Sequence, residues 1–136
     1  MPIKNISVHT TYQGLFEITK QITAAINEID IQEGLCTLFI QHTSASLVIQ
    51  EDSDPPARRD LERWLNRLVP VGDFSYTHTL EGADDMPAHI KSALTATSLA
   101  IPILDGQLAL GTRQGIFLWE HHHYGELRSI IIHIGN

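Results

Sequence analysis

Only the dipeptide Asp105-Gly106 separates two apolar runs, residues 99–104 and 107–110. A two-residue connection joins neighbouring strands antiparallel, because a parallel crossover needs about a dozen residues or more. Asp-Gly also tolerates the positive φ angles that such a turn requires. Short connections recur along the chain. Strand-like runs at 35–41 and 46–50 are divided by His42-Thr43-Ser44-Ala45, and the runs at 116–119 and 128–134 follow short loops at 111–115 and 121–125. Ile6 and Val8 alternate with polar neighbours and predict an opening strand.

The helical signals are fewer. Ile18, Ile22, Ile26 and Ile29 recur at helical spacing and predict an amphipathic helix over 15–29, whose β-branched stripe needs packing to outweigh mediocre propensity. Asp54 is a good N-cap and Pro55 suits the first helical position. Ala57, Leu61, Trp64, Leu65 and Leu68 then line one helix face, and Pro70 and Gly72 stop it. Asp84 or Asp85 caps a short helix that includes Pro87 and presents His89. The expected fold is α+β: a single domain over 1–136, with a mostly antiparallel, β-sandwich-like sheet and two to three helices.

With 136 residues, 43% of them hydrophobic, the chain has enough apolar content for one core. Its net charge of −7 disfavours a surface that binds nucleic acid by neutralising phosphates. Cys36 is the only cysteine, which rules out an intrachain disulfide, and its apolar run predicts burial, where a thiol is a poor nucleophile. Met1-Pro2-Ile3-Lys4-Asn5 opens without a long apolar region or small-residue cleavage site, and no apolar stretch reaches transmembrane length. A cytoplasmic location with no membrane or nucleic-acid partner is expected.

Chemistry concentrates between Tyr76 and Lys91, where His78, His89, Glu81, Asp84, Asp85 and Lys91 surround a Gly-containing turn. Imidazoles are common metal ligands, carboxylates orient them or move protons, and a lysine holds anionic groups. His42, at a strand end, joins His78 and His89 as a candidate from a third element. Spacing alone favours the plainer reading, eight histidines scattered for surface and capping work, since no His pair has the i, i+4 helical zinc spacing and no Cys-x-x-Cys occurs. Glu120-His121-His122-His123 is a second supplier of a ligand or proton carrier, with a polar loop as its bland alternative.

Other clusters have ordinary explanations. Asp54 caps a helix, while Glu51 or Asp52 is left to face a pocket. Arg58, Arg59 and Arg63 share their helix with Asp60 and Glu62 and read as a solvated face or subunit contact rather than a phosphate site. Gly111-Thr112-Arg113-Gln114-Gly115 reads as a turn between strands. Ser44 and Ser46 lie near His42 without a nucleophile elbow.

Seven ordered segments together resemble the YjbQ family of secondary thiamine-phosphate synthases. They are His42-Thr43-Ser44-Ala45-Ser46, Glu51-Asp52, Arg59-Asp60-Leu61-Glu62, Tyr76-Thr77-His78, the run from Glu81 to Lys91, the run from Gly111 to Ile116, and Glu120-His121. The resemblance implies a compact α+β fold, a homotrimer, and a metal site near His42, His78 and His89, with His121 as an alternative ligand. It also implies an accessory ability to join hydroxymethylpyrimidine diphosphate to thiazole phosphate, releasing diphosphate and forming thiamine phosphate. Two positions depart from the family pattern: Arg113 stands where tryptophan is common, and His122 where arginine is common.

The resulting expectation is metal-assisted transfer on a small phosphorylated metabolite, with a divalent ion, zinc or magnesium, as cofactor. Glu81, Asp85 and Glu120 are the expected catalytic carboxylates, and Ser44, Lys91, Arg113 and Gln114 the expected substrate contacts. The alternative is a non-catalytic metal- or metabolite-binding homotrimer with incidental synthase activity.

Overall fold

The computed structural model describes residues 2–136. In chain order the elements are β1 (Ile3–His9), β2 (Gly14–Glu17), α1 (Thr19–Asn27), β3 (Glu33–Ile40), β4 (Ala45–Glu51), α2 (Pro55–Leu68), α3 (Asp85–Leu94), β5 (Ser98–Leu104), β6 (Gln107–Leu108), β7 (Gln114–Glu120) and β8 (Leu127–Gly135). The strands form a five-stranded sheet, β1-β8-β3-β5-β6, and a three-stranded sheet, β2-β7-β4. Every strand pairing is antiparallel, and the fold is the expected α+β type.

Alternation along each strand explains the layering. Cys36, Leu38 and Ile40 of β3, Ile101 and Ile103 of β5, and Ile130, Ile132 and Ile134 of β8 point from the larger sheet into one core. Ala45 and Leu47 of β4 and Ile116 and Leu118 of β7 meet them from the smaller sheet, with Ile22, Ala25 and Ile26 of α1 also in this core. The intervening β7 residues Phe117 and Trp119 face the other way, into a second cluster with Leu65 and Val69. This is why residues 116–119 are apolar without interruption: β7 is buried on both faces.

The Asp105-Gly106 turn has φ angles of 53° and 75°, as a two-residue hairpin with two left-handed positions requires. It pairs Leu104 with Gln107 and Ile103 with Leu108. Asp54 caps α2 through its side chain, which accepts the Ala57 N–H at 3.0 Å.

One expectation needs correction. Residues 15–17 are not helical: Leu15, Phe16 and Glu17 pair with Trp119, Leu118 and Phe117, and Ile18 N–H continues the ladder to Ile116 at 2.8 Å. Tertiary pairing therefore overrides the isoleucine period for its first turn. On α2, only Leu65 is fully buried, whereas Trp64 and Leu68 are 51% and 54% exposed. Shortening Leu118, fully buried between the sheets, to alanine should destabilise the fold by about 2–5 kcal/mol, against about 1 kcal/mol for Asp54→Ala. Urea denaturation of both variants measures the difference.

Candidate metal centre

The N-terminal turn of α3 brings the dense polar segment to one point. Asp85 and His89 lie four residues apart and share a helix face, and Asp85 is 8% exposed. Asp85 Oδ2 stands 2.5 Å from His78 Nε2 and 3.0 Å from His89 Nε2. One ligand atom from each of His78, Asp85 and His89 lies within 4.8 Å of the others. Asp84, the N-cap of α3, makes no side-chain cap bond; its Oδ2 instead accepts the His123 N–H at 2.9 Å, tying the 121–125 loop to the helix.

The hydrogen bonds fix what the rings present. His89 Nδ1–H donates to the Thr43 carbonyl at 3.0 Å, so the neutral ring turns a bare Nε2 lone pair towards the Asp85 carboxylate. Two lone pairs facing each other repel unless a cation lies between them or the ring is protonated. Two imidazoles and one carboxylate, with one imidazole oriented by a backbone carbonyl, match a three-ligand site that leaves a coordination position open. These residues fit a divalent ion.

His122 reaches the same carboxylate from the other side. Its Nε2 is 2.6 Å from Asp85 Oδ1 and its Nδ1 3.1 Å from Glu126 Oε2, so both nitrogens face acceptors. Burial works against the charged ring, but the hydrogen bonds to Asp85 and Glu126 outweigh it and raise its pKa. Burial likewise opposes the Asp85 charge, and hydrogen bonds from His122 and His78 prevail, lowering its pKa. Having both ring nitrogens face carboxylates favours the protonated ring at this position.

These side chains line a cleft of about 810 Å³ with His42, Ser44, Glu81 and Arg128. Its back wall is a buried ion pair. Arg128, on β8, donates through Nε to Glu120 Oε1 at 2.8 Å and through Nη2 to Glu120 Oε2 and the Ser44 carbonyl. Thr10 Oγ1 and the His122 N–H also donate to Glu120, at 2.5 and 3.0 Å. Burial would raise the Glu120 pKa, but these bonds and the guanidinium charge hold it below the usual value.

Several expected site residues take other positions. His42 lines the cleft, but its Nε2 accepts the Ser129 N–H at 2.9 Å and its Nδ1 stands 3.2 Å from Arg128 Nη1. Neither nitrogen is offered to an ion shared with His78 and His89, and the guanidinium would repel one. Glu120 is fully buried and held by Arg128 rather than open to substrate. Lys91 emerges about 120° around α3 from Asp85 and lines a different cavity with His121. Arg113 is 77% exposed and pairs with Glu51 at 3.5 Å, while Gln114 Oε1 accepts the Gly111 N–H at 2.7 Å within its own turn. Arg128 and Glu126 were not singled out in the sequence, where Arg128 opens an apolar strand and shows no local motif.

Fold and cleft together define a small α+β protein of two antiparallel sheets with a histidine–carboxylate cluster of metal-ligating type at their margin. The chain belongs to the UPF0047 protein YjbQ-like family, whose model matches residues 4–136. It is 47% identical over 127 residues to the UPF0047 protein sll1880 of Synechocystis sp., covering 93% of this chain and 86% of the relative. Against the UPF0047 protein YjbQ of Escherichia coli O157:H7 the identity is 42% over 129 residues, covering 94% and 93%. Among solved structures, an uncharacterized conserved protein of the YjbQ/UPF0047 family from Clostridium acetobutylicum superimposes with a TM-score of 0.88 at 34% identity, covering 97% of this chain and 99% of that one.

The charge arrangement has a pH signature in metal-free protein. The raised His122 pKa stabilises the fold fully below the unfolded value, and that contribution is lost as pH rises through the folded pKa. Asp85 works in the opposite direction: its contribution is present above the unfolded value and lost as pH falls through the lowered folded pKa. Denaturation across pH should show a decline on the alkaline side of the ordinary histidine range that shrinks in His122→Gln. An unchanged profile would refute the paired imidazolium.

Proposed function

We propose that the protein is an accessory thiamine-phosphate synthase, using a divalent ion held by His78, Asp85 and His89 in the joining of hydroxymethylpyrimidine diphosphate to thiazole phosphate. The observation that carries this reading is the convergence of those three side chains within 4.8 Å in a cleft, with a bare His89 Nε2 aimed at the carboxylate. Family membership supports it. Two imidazoles and a carboxylate favour zinc over magnesium, which prefers an all-oxygen shell. When bound, the ion neutralises the leaving diphosphate as a Lewis acid.

In the reaction, the bond between the pyrimidine methylene carbon and the diphosphate oxygen breaks with its electron pair on the diphosphate. The thiazole nitrogen supplies the pair for the new carbon–nitrogen bond. His122 lines the cleft, and its protonated form, favoured by its two carboxylate partners, attracts the diphosphate. Glu81 lines it too, and among the described residues its carboxylate accepts no side-chain hydrogen bond, so it is suited to offset the positive charge gained by the alkylated thiazole. Ser44, 7% exposed, contributes its carbonyl to Arg128 and thereby braces the buried ion pair behind the cleft.

Replacing His78 or His89 with alanine should remove bound metal and reduce synthase turnover by about tenfold or more, with the fold intact by circular dichroism. Metal content and turnover unchanged in both variants would overturn the assignment.

A second reading, a metal- or metabolite-binding homotrimer with incidental turnover, is favoured by the location of Lys91 and Arg113 outside the cleft. It predicts tight binding of a metabolite that is never converted, which a comparison of Kd with kcat/KM across substrates detects. Trimer formation is part of both readings. The outer face of the larger sheet exposes Leu35, Phe39 and Leu104 at 44%, 48% and 55%, and Phe39 also lines the cleft. Light scattering on native protein should return three times the chain mass, and Phe39→Asp should lower it. We assign the protein to the cytoplasm; among the described residues no helix is long and apolar enough to cross a membrane.

A further inference from the structure

On the opposite side of β7 from the larger sheet lies a second polar cavity, independent of the metal cleft. Alternation along β7 directs Glu120 towards β8 and sends His121, like Phe117 and Trp119, towards α2. There a cavity of about 240 Å³ has Lys91, Trp119 and His121 as its buried floor and Arg59, Arg63 and Asn66 of α2 as its exposed rim.

The fold leaves two groups of the floor unsatisfied. Lys91 is 2% exposed; its ammonium donates to Asn66 Oδ1 at 2.5 Å and makes no ion pair among the described residues. An ammonium has three donors, and a buried one with a single neutral acceptor is poorly compensated. His121 is 1% exposed; its Nε2 meets Ser46 Oγ at 2.9 Å, while its Nδ1 is buried with no hydrogen-bond partner among the described residues. Burial and the charges of Lys91, Arg128 and His122 push its pKa down to about 3, so the ring is neutral. In the tautomer with the proton on Nδ1, Ser46 Oγ–H donates to Nε2 and Nδ1–H lacks an acceptor.

Charge narrows the ligand. Lys91, Arg59 and Arg63 bring three cations to this cavity and Glu62 one carboxylate, whose Oε2 is engaged by the Leu15 N–H at 2.7 Å. The surplus of two positive charges matches a dianion. A phosphate group also offers several acceptor oxygens to the guanidinium forks and the ammonium at once. The volume suits a small molecule rather than a nucleotide.

We propose that this second cavity binds a phosphate group, free or at the end of a small monoester, held by Lys91, Arg63 and Arg59 above the His121 ring. None of these four residues lines the metal cleft, so the site stands whether or not the synthase reading does. The test is calorimetric titration of the native protein with inorganic phosphate and, separately, with glycerol phosphate; the tighter of the two identifies the source. Arg63→Gln, on the exposed rim, and Lys91→Met should each weaken binding about tenfold or more, the loss of one charge-assisted contact. His78→Ala should bind as the wild type does, and the His121 ring nitrogen resonances should shift on phosphate addition. Absence of saturable binding, binding unaffected by both Arg63→Gln and Lys91→Met, or binding lost in His78→Ala would each overturn the proposal.

Discussion

The Glu120–Arg128 pair is the interaction on which the rest of the site depends. Both side chains are shut off from solvent, at 0% and 1% exposure, where separating one charge from its partner leaves the other uncompensated. The pair joins β7 of the smaller sheet to β8 of the larger. Its remaining hydrogen-bonding capacity is taken up by Thr10, the Ser44 carbonyl, the His122 N–H and Glu126. Every segment that forms the back of the cleft is thus referred to one ion pair. A carboxylate held this way is a structural anchor, and its lowered pKa keeps it charged through the neutral range.

Three consecutive residues at the end of β7 then serve three environments. Glu120 enters the ion pair, His121 lines the cavity under α2, and His122 lines the metal cleft. The first two follow from strand alternation. The third follows from the chain leaving β7, with Asp84 and Asp85 of α3 holding the loop backbone and the His122 ring. α3 is divided in the same way, with Asp85 and His89 facing the cleft and Lys91 the other cavity.

Much of the fold was legible because its signals are local. Asp105-Gly106 specifies a hairpin by its own backbone preferences, Asp54-Pro55 specifies a helix start, and the apolar run at 116–119 marks a strand. Residues 15–17 lie directly ahead of the isoleucine period that starts at Ile18, while the signal that makes them a strand, pairing with residues 117–119, comes from a hundred residues away. In the site, the polar density of 76–91 did indicate where His78 and His89 would meet. The i, i+4 relation of Asp85 to His89 was also present, but a search for two histidines at that spacing passes over it. The engagement of His42 by Ser129 and Arg128, and of Glu120 by Arg128, depends on β8 and has no trace in the local sequence.

The order of the larger sheet, β1-β8-β3-β5-β6, carries a consequence for biosynthesis. β8 follows the other strands of its sheet in sequence, yet it sits between β1 and β3 and contributes Ile130, Ile132 and Ile134 to the main core. During synthesis β1 therefore has no neighbour to pair with, and β3 exposes one ladder edge, until residues 127–135 have cleared the ribosome. Arg128 arrives with that strand, so Glu120 has no countercharge before it. The nascent chain must keep an open sheet edge and an unpaired carboxylate from harm until β8 inserts, which makes closure of the sheet and assembly of the cleft a single event.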